Sequence, residues 1–251
     1  MSDEIKELRK WVAESEKIVF FGGAGVSTES GIPDFRSKDG LYAIKYRYPP
    51  ETILSGTFFI KNTSEFFKFY REKMIFPQAV PNPAHTALAK LEEIGRLKAV
   101  VTQNVDGLHG VAGSKNVIEL HGSVHRNFCM DCRAFYPLEF VLSGGGIPVC
   151  SCGGIVKPDV TLFEEQLAPR VIDGAIRHIS EADMLIVGGT SLAVFPAAAL
   201  IDYYEGSRLV LINMSKTSKD YMANLVVTGK IGEVLPLVLP MERGDVSPED
   251  E

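Results

Sequence analysis

The residues with most chemical potential stand directly after apolar runs. His121 follows Val117-Ile-Glu-Leu120, and Gln103, Asn104, Val105 and Asp106 follow Lys98-Ala-Val-Val101 by way of Thr102. An imidazole near pH 7 is a usable base. The two amides both donate and accept, and the carboxylate accepts N–H groups. Ligands of open parallel sheets bind beyond the strand C-termini, so this cluster is better placed for function than the same residues on a surface turn. His85, His109, His125 and His178 are read as structural or surface histidines. Glycines follow two further runs: Gly23-Ala24-Gly25 after Ile18-Val-Phe-Phe21, and Gly188-Gly189-Thr190-Ser191 after Met184-Leu-Ile-Val187. Without a Cβ, Gly23 and Gly25 let the backbone approach a ligand, and a helix opening near Val26 would aim its free N–H groups at a phosphate. With Gly31 the spacing departs from G-x-G-x-x-G. No strand-end acid stands about twenty residues further on to hold a ribose. Thr190, Ser191 and Asn213 at later strand ends are therefore the candidates for ribose and phosphate contacts, in an orientation inverted relative to a hydride-transfer enzyme.

A second kind of chemistry is concentrated in one stretch. Cys129-x-x-Cys132, seventeen residues, then Cys150-x-Cys152 account for all 4 cysteines. Two close thiol pairs match a tetrahedral zinc site. Four protein ligands leave no open position, so the metal is expected to be structural and to hold a small module with little core of its own.

The elements that must position these groups follow from periodicity. Ser2-Asp-Glu opens a helix with Ile5, Leu8 and Val12 on one face. Short apolar runs at 18–21, 98–101, 117–120, 184–187, 208–212 and 225–227 read as buried strands. Ser64 is expected to cap a helix bearing Phe66, Phe67, Phe69, Tyr70 and Met74, and Asn82-Pro83 to start another. Further helices are expected at 170–182, after Ser191, and at 231–239. A polar-aromatic segment with Tyr42, Tyr46, Tyr48 and Pro49-Pro50 reads as a loop over a ligand site. Alternating strands and helices define an α/β fold with a doubly wound parallel sheet. The expected organisation is a Rossmann-like domain from 1–122 and 158–242 with a helical and loop insertion at about 37–80, a zinc module at 123–157, and an acidic tail at 243–251.

Bulk properties narrow the classes. The chain has 251 residues, 45% of them hydrophobic and 23% charged, which is enough for a full core. A net charge of −6 gives no general case for nucleic acid or an anionic membrane. No run approaches a membrane span, and Met-Ser-Asp-Glu-Ile-Lys lacks the basic-then-apolar pattern of a secretion signal. With its paired free thiols, the expected location is cytoplasmic.

Taken together, these motifs resemble the sirtuins, NAD-dependent protein lysine deacylases of bacterial type. The resemblance runs from about Glu14 to Leu239. It rests on Gly23-Ala-Gly-Val-Ser-Thr-Glu-Ser-Gly-Ile-Pro-Asp-Phe-Arg36, Thr102-Gln-Asn-Val-Asp-Gly-Leu-His109, His121-Gly122, the four cysteines and Gly189-Thr-Ser191. It implies an inverted-type Rossmann-like domain with NAD as co-substrate and one structural zinc on Cys129, Cys132, Cys150 and Cys152. Ala24, Thr28, Phe35 and Arg36 would contact NAD between Gly23, Gly25 and Asp34. Gln103 would meet the nicotinamide ribose, and Asn104, Val105 and Asp106 would form the nicotinamide pocket. His121 matches the general base, assisted by Asn104. Gly189, Thr190, Ser191, Asn213 and Ile231 match the adenosine side.

Val160 and Phe163 match the strand that clamps the substrate peptide, though Phe163-Glu164-Glu165 stands where the family has Phe-Gly-Glu. Phe67 and Tyr70 match the acyl-reading positions. Arg71 is one residue out of phase, about 100° around the helix, so a charged acyl group would be left unpaired. The implied reaction removes acetyl or another uncharged acyl group from lysine of a protein substrate, giving nicotinamide and O-acyl-ADP-ribose. The competing expectations are a protein mono-ADP-ribosyltransferase using the same NAD site and a non-catalytic zinc-ribbon binding module. The absence of a concentrated basic patch in 123–157 argues against the latter as a nucleic-acid binder.

Overall fold

The computed structural model describes residues 2–240; the acidic tail expected at 243–251 lies outside them. The strands in chain order are β1 (Ile18–Gly22), β2 (Leu97–Thr102), β3 (Val117–Glu119), β4 (Gly122–Cys129), β5 (Phe135–Pro137), β6 (Val156–Val160), β7 (Met184–Gly188), β8 (Leu209–Asn213) and β9 (Leu225–Thr228). The helices are α1 (Asp3–Glu14), α2 (Pro50–Ile53), α3 (Gly56–Lys61), α4 (Thr63–Lys73), α5 (Pro83–Glu93), α6 (Leu108–Val111), α7 (Leu138–Leu142), α8 (Pro169–Ser180) and α9 (Ile231–Val234).

Six strands form a parallel sheet in the order β3-β2-β1-β7-β8-β9. β1 and β7 are buried along their whole length, as central strands covered on both faces must be. One face carries α1, α5 and α9, packed through Leu8, Val12, Leu88, Leu91 and Ile231. The other carries α8 and a 3₁₀ helix over Ala197–Tyr203, packed through Ile179, Leu200 and Ile201. The chain winds outward from β1 to β3 on one side and from β7 to β9 on the other. The order therefore reverses between β1 and β7, where such sheets leave a crevice at their C-terminal edge.

β4, β5 and β6 form a separate antiparallel sheet in the order β5-β4-β6. Gly122 makes the pairing possible. It sits at φ +78°, and a Cβ there would fall 1.8 Å from the Asp159 carbonyl oxygen of β6. A third core joins this lobe to the helical insertion, with Phe58, Phe66, Phe67 and Tyr70 packed against Val124, Leu138, Val141 and Val160.

Local signals explain most boundaries. Ser2 caps α1, accepting from the Ile5 N–H at 3.4 Å. Asn82 caps α5, with Pro83 at its first position and Gly95 at φ +77° beyond its end. Three expectations need correction. The segment after β1 is two 3₁₀ turns, Ala24–Val26 and Thr28–Ser30, with Val26 and Ser27 N–H groups bonded back to Gly23 and Ala24 carbonyls, so no α-helix opens at Val26. Ser64 does not cap α4, which starts at Thr63 after Asn62 without a side-chain cap. The helix expected after Ser191 forms only at Ala197, as a 3₁₀ helix.

Candidate active site and four-cysteine cluster

A cleft of about 680 Å³ lies at the reversal point. Its walls include Gly23, Ala24, Gly25, Thr28, Asp34, Phe35 and Arg36 from the loop after β1, and Gln103, Asn104, Val105 and Asp106 from the end of β2. His121, Val160, Phe163 and Tyr70 line its second half, and Gly189, Thr190, Ser191, Asn213 and Ile231 its far end. Of the residues singled out above for cofactor and substrate, Phe67 alone is missing. It is fully buried, and the Arg71 guanidinium lies 5.4 Å from its ring. Arg71 turns away from the cleft, its Nε donating to the Val141 carbonyl at 2.7 Å.

The glycines have a packing role besides lining the cleft. A Cβ on Gly25 would fall 2.8 Å from Gly189 backbone atoms, and one on Gly23 would fall 2.9 Å from Thr190 Cβ. The two turns thus pack backbone to backbone, with the Gly25 N–H donating to the Gly189 carbonyl at 2.8 Å. Glycine at these positions admits the partner turn.

His121 is partly buried just ahead of β4. Its Nδ1 lies 2.9 Å from the Gln103 carbonyl, which can only accept. The proton therefore sits on Nδ1, and Nε2 keeps its lone pair. Burial lowers the imidazole below its ordinary value, partly countered by that carbonyl, so the ring is neutral at pH 7. The Gln103 side-chain amide donates to Thr190 Oγ1 at 3.0 Å, and Thr190 N–H donates to Asn213 Oδ1 at 3.0 Å. The ends of β2, β7 and β8 are thereby tied across the sheet.

Ser27, which no sequence signal singled out, is the hub of the inner wall. Its hydroxyl donates to Asp106 Oδ2 at 2.6 Å and accepts from Asn104 Nδ2 at 3.0 Å. The second Asp106 oxygen accepts the Leu108 N–H at 2.9 Å. Behind it lie His85, 3.5 Å from Ser27 Oγ, and His109, whose ring centroid is 4.7 Å from that of His85. Burial, with His85 as a second cause, pushes His109 down to about 3, and neither of its ring nitrogens has a hydrogen-bond partner among the described residues. Glu29 was likewise not foreseen; its carboxylate accepts the Gly232 N–H at 2.8 Å and holds the start of α9 to the loop after β1. Asp34 turns that loop by accepting the Arg36 and Ser37 N–H groups at 2.9 and 2.7 Å, and Arg36 donates to Ser191 Oγ at 3.4 Å.

Glu164 occupies φ +74°, a conformation that glycine adopts without strain. Its carboxylate accepts the Thr57 N–H at 2.9 Å, and Phe163 exchanges backbone hydrogen bonds with Leu54 and Gly56. The 161–165 segment is thus bound along one side to the helical insertion.

The four cysteines converge, their Sγ atoms all within 4.8 Å of one another. The 129–152, 132–150 and 132–152 pairs are 3.4, 3.6 and 3.5 Å apart. Four sulfurs about 2.3 Å from a tetrahedral zinc stand about 3.8 Å from each other, so the donors fit that ion with little movement. The Cys152 N–H and the Tyr136 hydroxyl, 3.0 Å from Cys150 Sγ, bring the Cys150 thiol down to about 6. Residues fit a dinucleotide as well. At the far end of the cleft the buried Asn213 Nδ2 has no partner among the described residues and is free for a polar group entering there.

Together these features define an α/β protein with a dinucleotide-type cleft at the sheet's switch point, closed on one side by a four-cysteine lobe. The chain belongs to the Sir2 family, whose model matches residues 23–196. It is 62% identical to an NAD-dependent protein deacetylase of Clostridium acetobutylicum over 241 residues, covering 94% of this chain and 98% of that protein. Among solved structures it resembles a Sir2 with a p53 peptide and NAD+, at TM-score 0.83 and 39% identity, covering 95% and 97% of the two chains. It also resembles a Sir2 with deacetylated p53 peptide and 3'-O-acetyl ADP ribose, at TM-score 0.84 and 39% identity, covering 93% and 96%. Among the described residues no helix is long and apolar enough to cross a membrane.

Proposed function

We propose that the protein is an NAD-dependent protein lysine deacetylase that releases nicotinamide, O-acetyl-ADP-ribose and the deacetylated protein. The observation that carries this reading is that His121 lines the cleft with its Nδ1–H committed to the Gln103 carbonyl, which leaves the Nε2 lone pair as the available base. NAD, when bound, supplies a ribose carbon that becomes electrophilic as nicotinamide leaves, so the oxygen of a lysine amide can attack without prior ionisation. His121 Nε2 then takes a proton from the ribose hydroxyls, which lets an oxygen attack the former amide carbon. Asn104 and Asp106, fixed by Ser27, supply the amide and carboxylate for the nicotinamide carboxamide. Val105 lines that pocket, and Gln103 and Thr190 hold the nearby ribose. Ala24, Thr28, Phe35 and Arg36 of the same cleft would contact the co-substrate, and Ser191, Asn213 and Ile231 would hold its adenosine end. Val160 and Phe163 clamp the peptide beside Glu164. A structural zinc would be held by Cys129, Cys132, Cys150 and Cys152.

A cytoplasmic location fits this reading, because grouped metal-binding thiols suit a reducing compartment. The test is nicotinamide release from NAD with and without an acetyl-lysine peptide, followed by mass spectrometry of that peptide. The expected results are peptide-dependent release, loss of acetyl, and a fall of about 10²–10⁴-fold in kcat/KM for His121→Ala. Peptide-independent release or gain of ADP-ribose by the peptide would overturn it.

A further inference from the structure

Strand β4 leaves its ladder close to the cleft. Ser123 pairs with Asp159 of β6 and Asn127 with Pro158, so β4 advances four residues while β6 advances one. Val124, His125 and Arg126 therefore form a bulge, a feature that next to an active site re-aims side chains. Their hydrogen bonds show what the bulge reaches. The Val124 N–H donates to the Val105 carbonyl at 2.9 Å. His125 Nε2 lies 3.0 Å from the Asp106 carbonyl, which can only accept, so the imidazole donates there. These two residues fasten the bulge to the turn proposed above to hold nicotinamide.

Arg126, the third residue, is tied elsewhere. Its Nη1 donates to Glu119 of β3 at 2.6 Å and its Nε to Asp159 of β6 at 2.8 Å. Glu119 stands two residues before His121. Asp159 stands two residues before Thr161, whose N–H donates to the His121 carbonyl at 2.9 Å. One guanidinium thus grips the backbone of the base from both sides, along the chain at Glu119 and across the ladder at Asp159. β6 ends at Val160 and the chain runs on to Phe163, the residues proposed above to clamp the peptide. The network is too wet to be a main support of the fold. The Arg126 and Asp159 side chains are 42% and 43% exposed, and exposed pairs add little stability. What the planar fork does supply is position, because two of its N–H groups are aimed at two carboxylates at once.

We infer that Arg126 is a positioning residue that sets His121 against the acyl-lysine peptide by locking the base-bearing strand to the peptide-clamping one. The inference rests on the deacetylase reading and adds no chemical step. Nicotinamide leaves before His121 takes its proton, so two rates can be read separately with one acetyl-lysine peptide. Return of isotope-labelled nicotinamide into NAD does not need the base, whereas formation of deacetylated peptide does. Both are measured for the natural protein, Arg126→Met and Arg126→Lys. In Arg126→Met, kcat for deacetylation should fall about ten- to a hundredfold, the scale of a small misplacement of a reacting group. Nicotinamide return and the KM for NAD should stay within about twofold, because Val124 and His125 still hold the nicotinamide turn. Arg126→Lys keeps the charge but cannot span both carboxylates, so it should recover only part of the loss. Either variant should melt less than about 3 °C below the natural protein. A loss shared equally by return and deacetylation, full recovery with lysine, an unchanged kcat or a larger drop in melting temperature would overturn the inference while leaving deacetylation standing. A natural protein that releases no nicotinamide with the peptide present would instead overturn the deacetylase reading, and this inference with it.

Discussion

At the scale of single residues, the site is governed by how few of its groups are free. His121 is the clearest case. Its Nδ1–H is spent on the Gln103 carbonyl, and burial keeps the ring neutral, which together put a lone pair on Nε2 at physiological pH. The sign of the pH effect follows. Because the folded imidazole lies below its ordinary value of 6.5, the base form is lost only as pH drops beneath that value. The acid limb of kcat/KM should therefore bend below pH 6.5 and fall about tenfold per unit beyond the bend. A pH–rate profile on an acetyl-lysine peptide checks this; a limb bending above 7 would assign the base elsewhere. His121 and the 103–106 cluster were legible in the sequence because strand-end position and residue type both pointed to them. Ser27 was not, since a serine inside a glycine-rich loop has no signature. Its role appears only when β2 brings Asn104 and Asp106 to it across 77 and 79 residues.

At the scale of elements, legibility followed the range of the interactions involved. Parallel strands buried on both faces announce themselves as apolar runs, so all six strands of the main sheet were foreseen within a residue or two. The antiparallel lobe was foreseen only through its cysteines. β4 and β6 mix buried with partly buried positions rather than forming apolar runs, and they pair across an intervening turn, helix and hairpin that no local pattern encodes. Helix α4 carries an aromatic face that reads as core, and its depth depends on the same lobe. Phe66, Phe67, Phe69 and Tyr70 are all buried because the lobe packs over the helix. That left Phe67 in the core and Tyr70 at the cleft.

Beyond Val156 and the buried thiols, the core close to the cysteines is small, with Tyr136 and Phe140 packed against it. A metal held by the four thiols would therefore be what fastens this end of the lobe, whose other end packs into the third core. A strong zinc chelator should cut deacetylase activity to below about a tenth and lower the melting temperature, with recovery on zinc addition. Cys132→Ser should behave like the chelated protein without being rescued. Circular dichroism melts and activity assays before and after chelation decide it, and full activity in metal-depleted protein would count against a structural zinc.

At the scale of the molecule, the cleft belongs to no single element. Its wall is drawn from the turns after β1, β2, β7 and β8, from α4, and from the 161–165 segment that hydrogen bonds tie to the helical insertion. Between β1 and α2 the chain runs through bends and short turns, and Arg36, Ser37, Leu41 and Tyr42 of that stretch line the cleft. Arg36 lies 5.6 Å from the Tyr42 ring and reaches Ser191, so this segment bridges the two halves of the sheet across the cleft. The polar-aromatic stretch read as a ligand-side loop reaches the cleft only through Tyr42; Tyr46 and Tyr48 pack instead against Phe69 and Phe58.

The same stretch carries Arg36, Lys38, Lys45 and Arg47, four trypsin sites in a segment with little regular structure. A ligand that binds only the folded, closed arrangement lowers the population of open forms in which such a segment is cut. At a hundred times its Kd, NAD should therefore slow trypsin cleavage between Arg36 and Arg47 by about tenfold or more, while cleavage at sites distant from the cleft changes far less. Fragment mass spectrometry over a digestion time course measures both. Equal slowing everywhere would mean that NAD stabilises the fold as a whole, and no slowing at 36–47 would mean that this segment does not take part in holding the co-substrate.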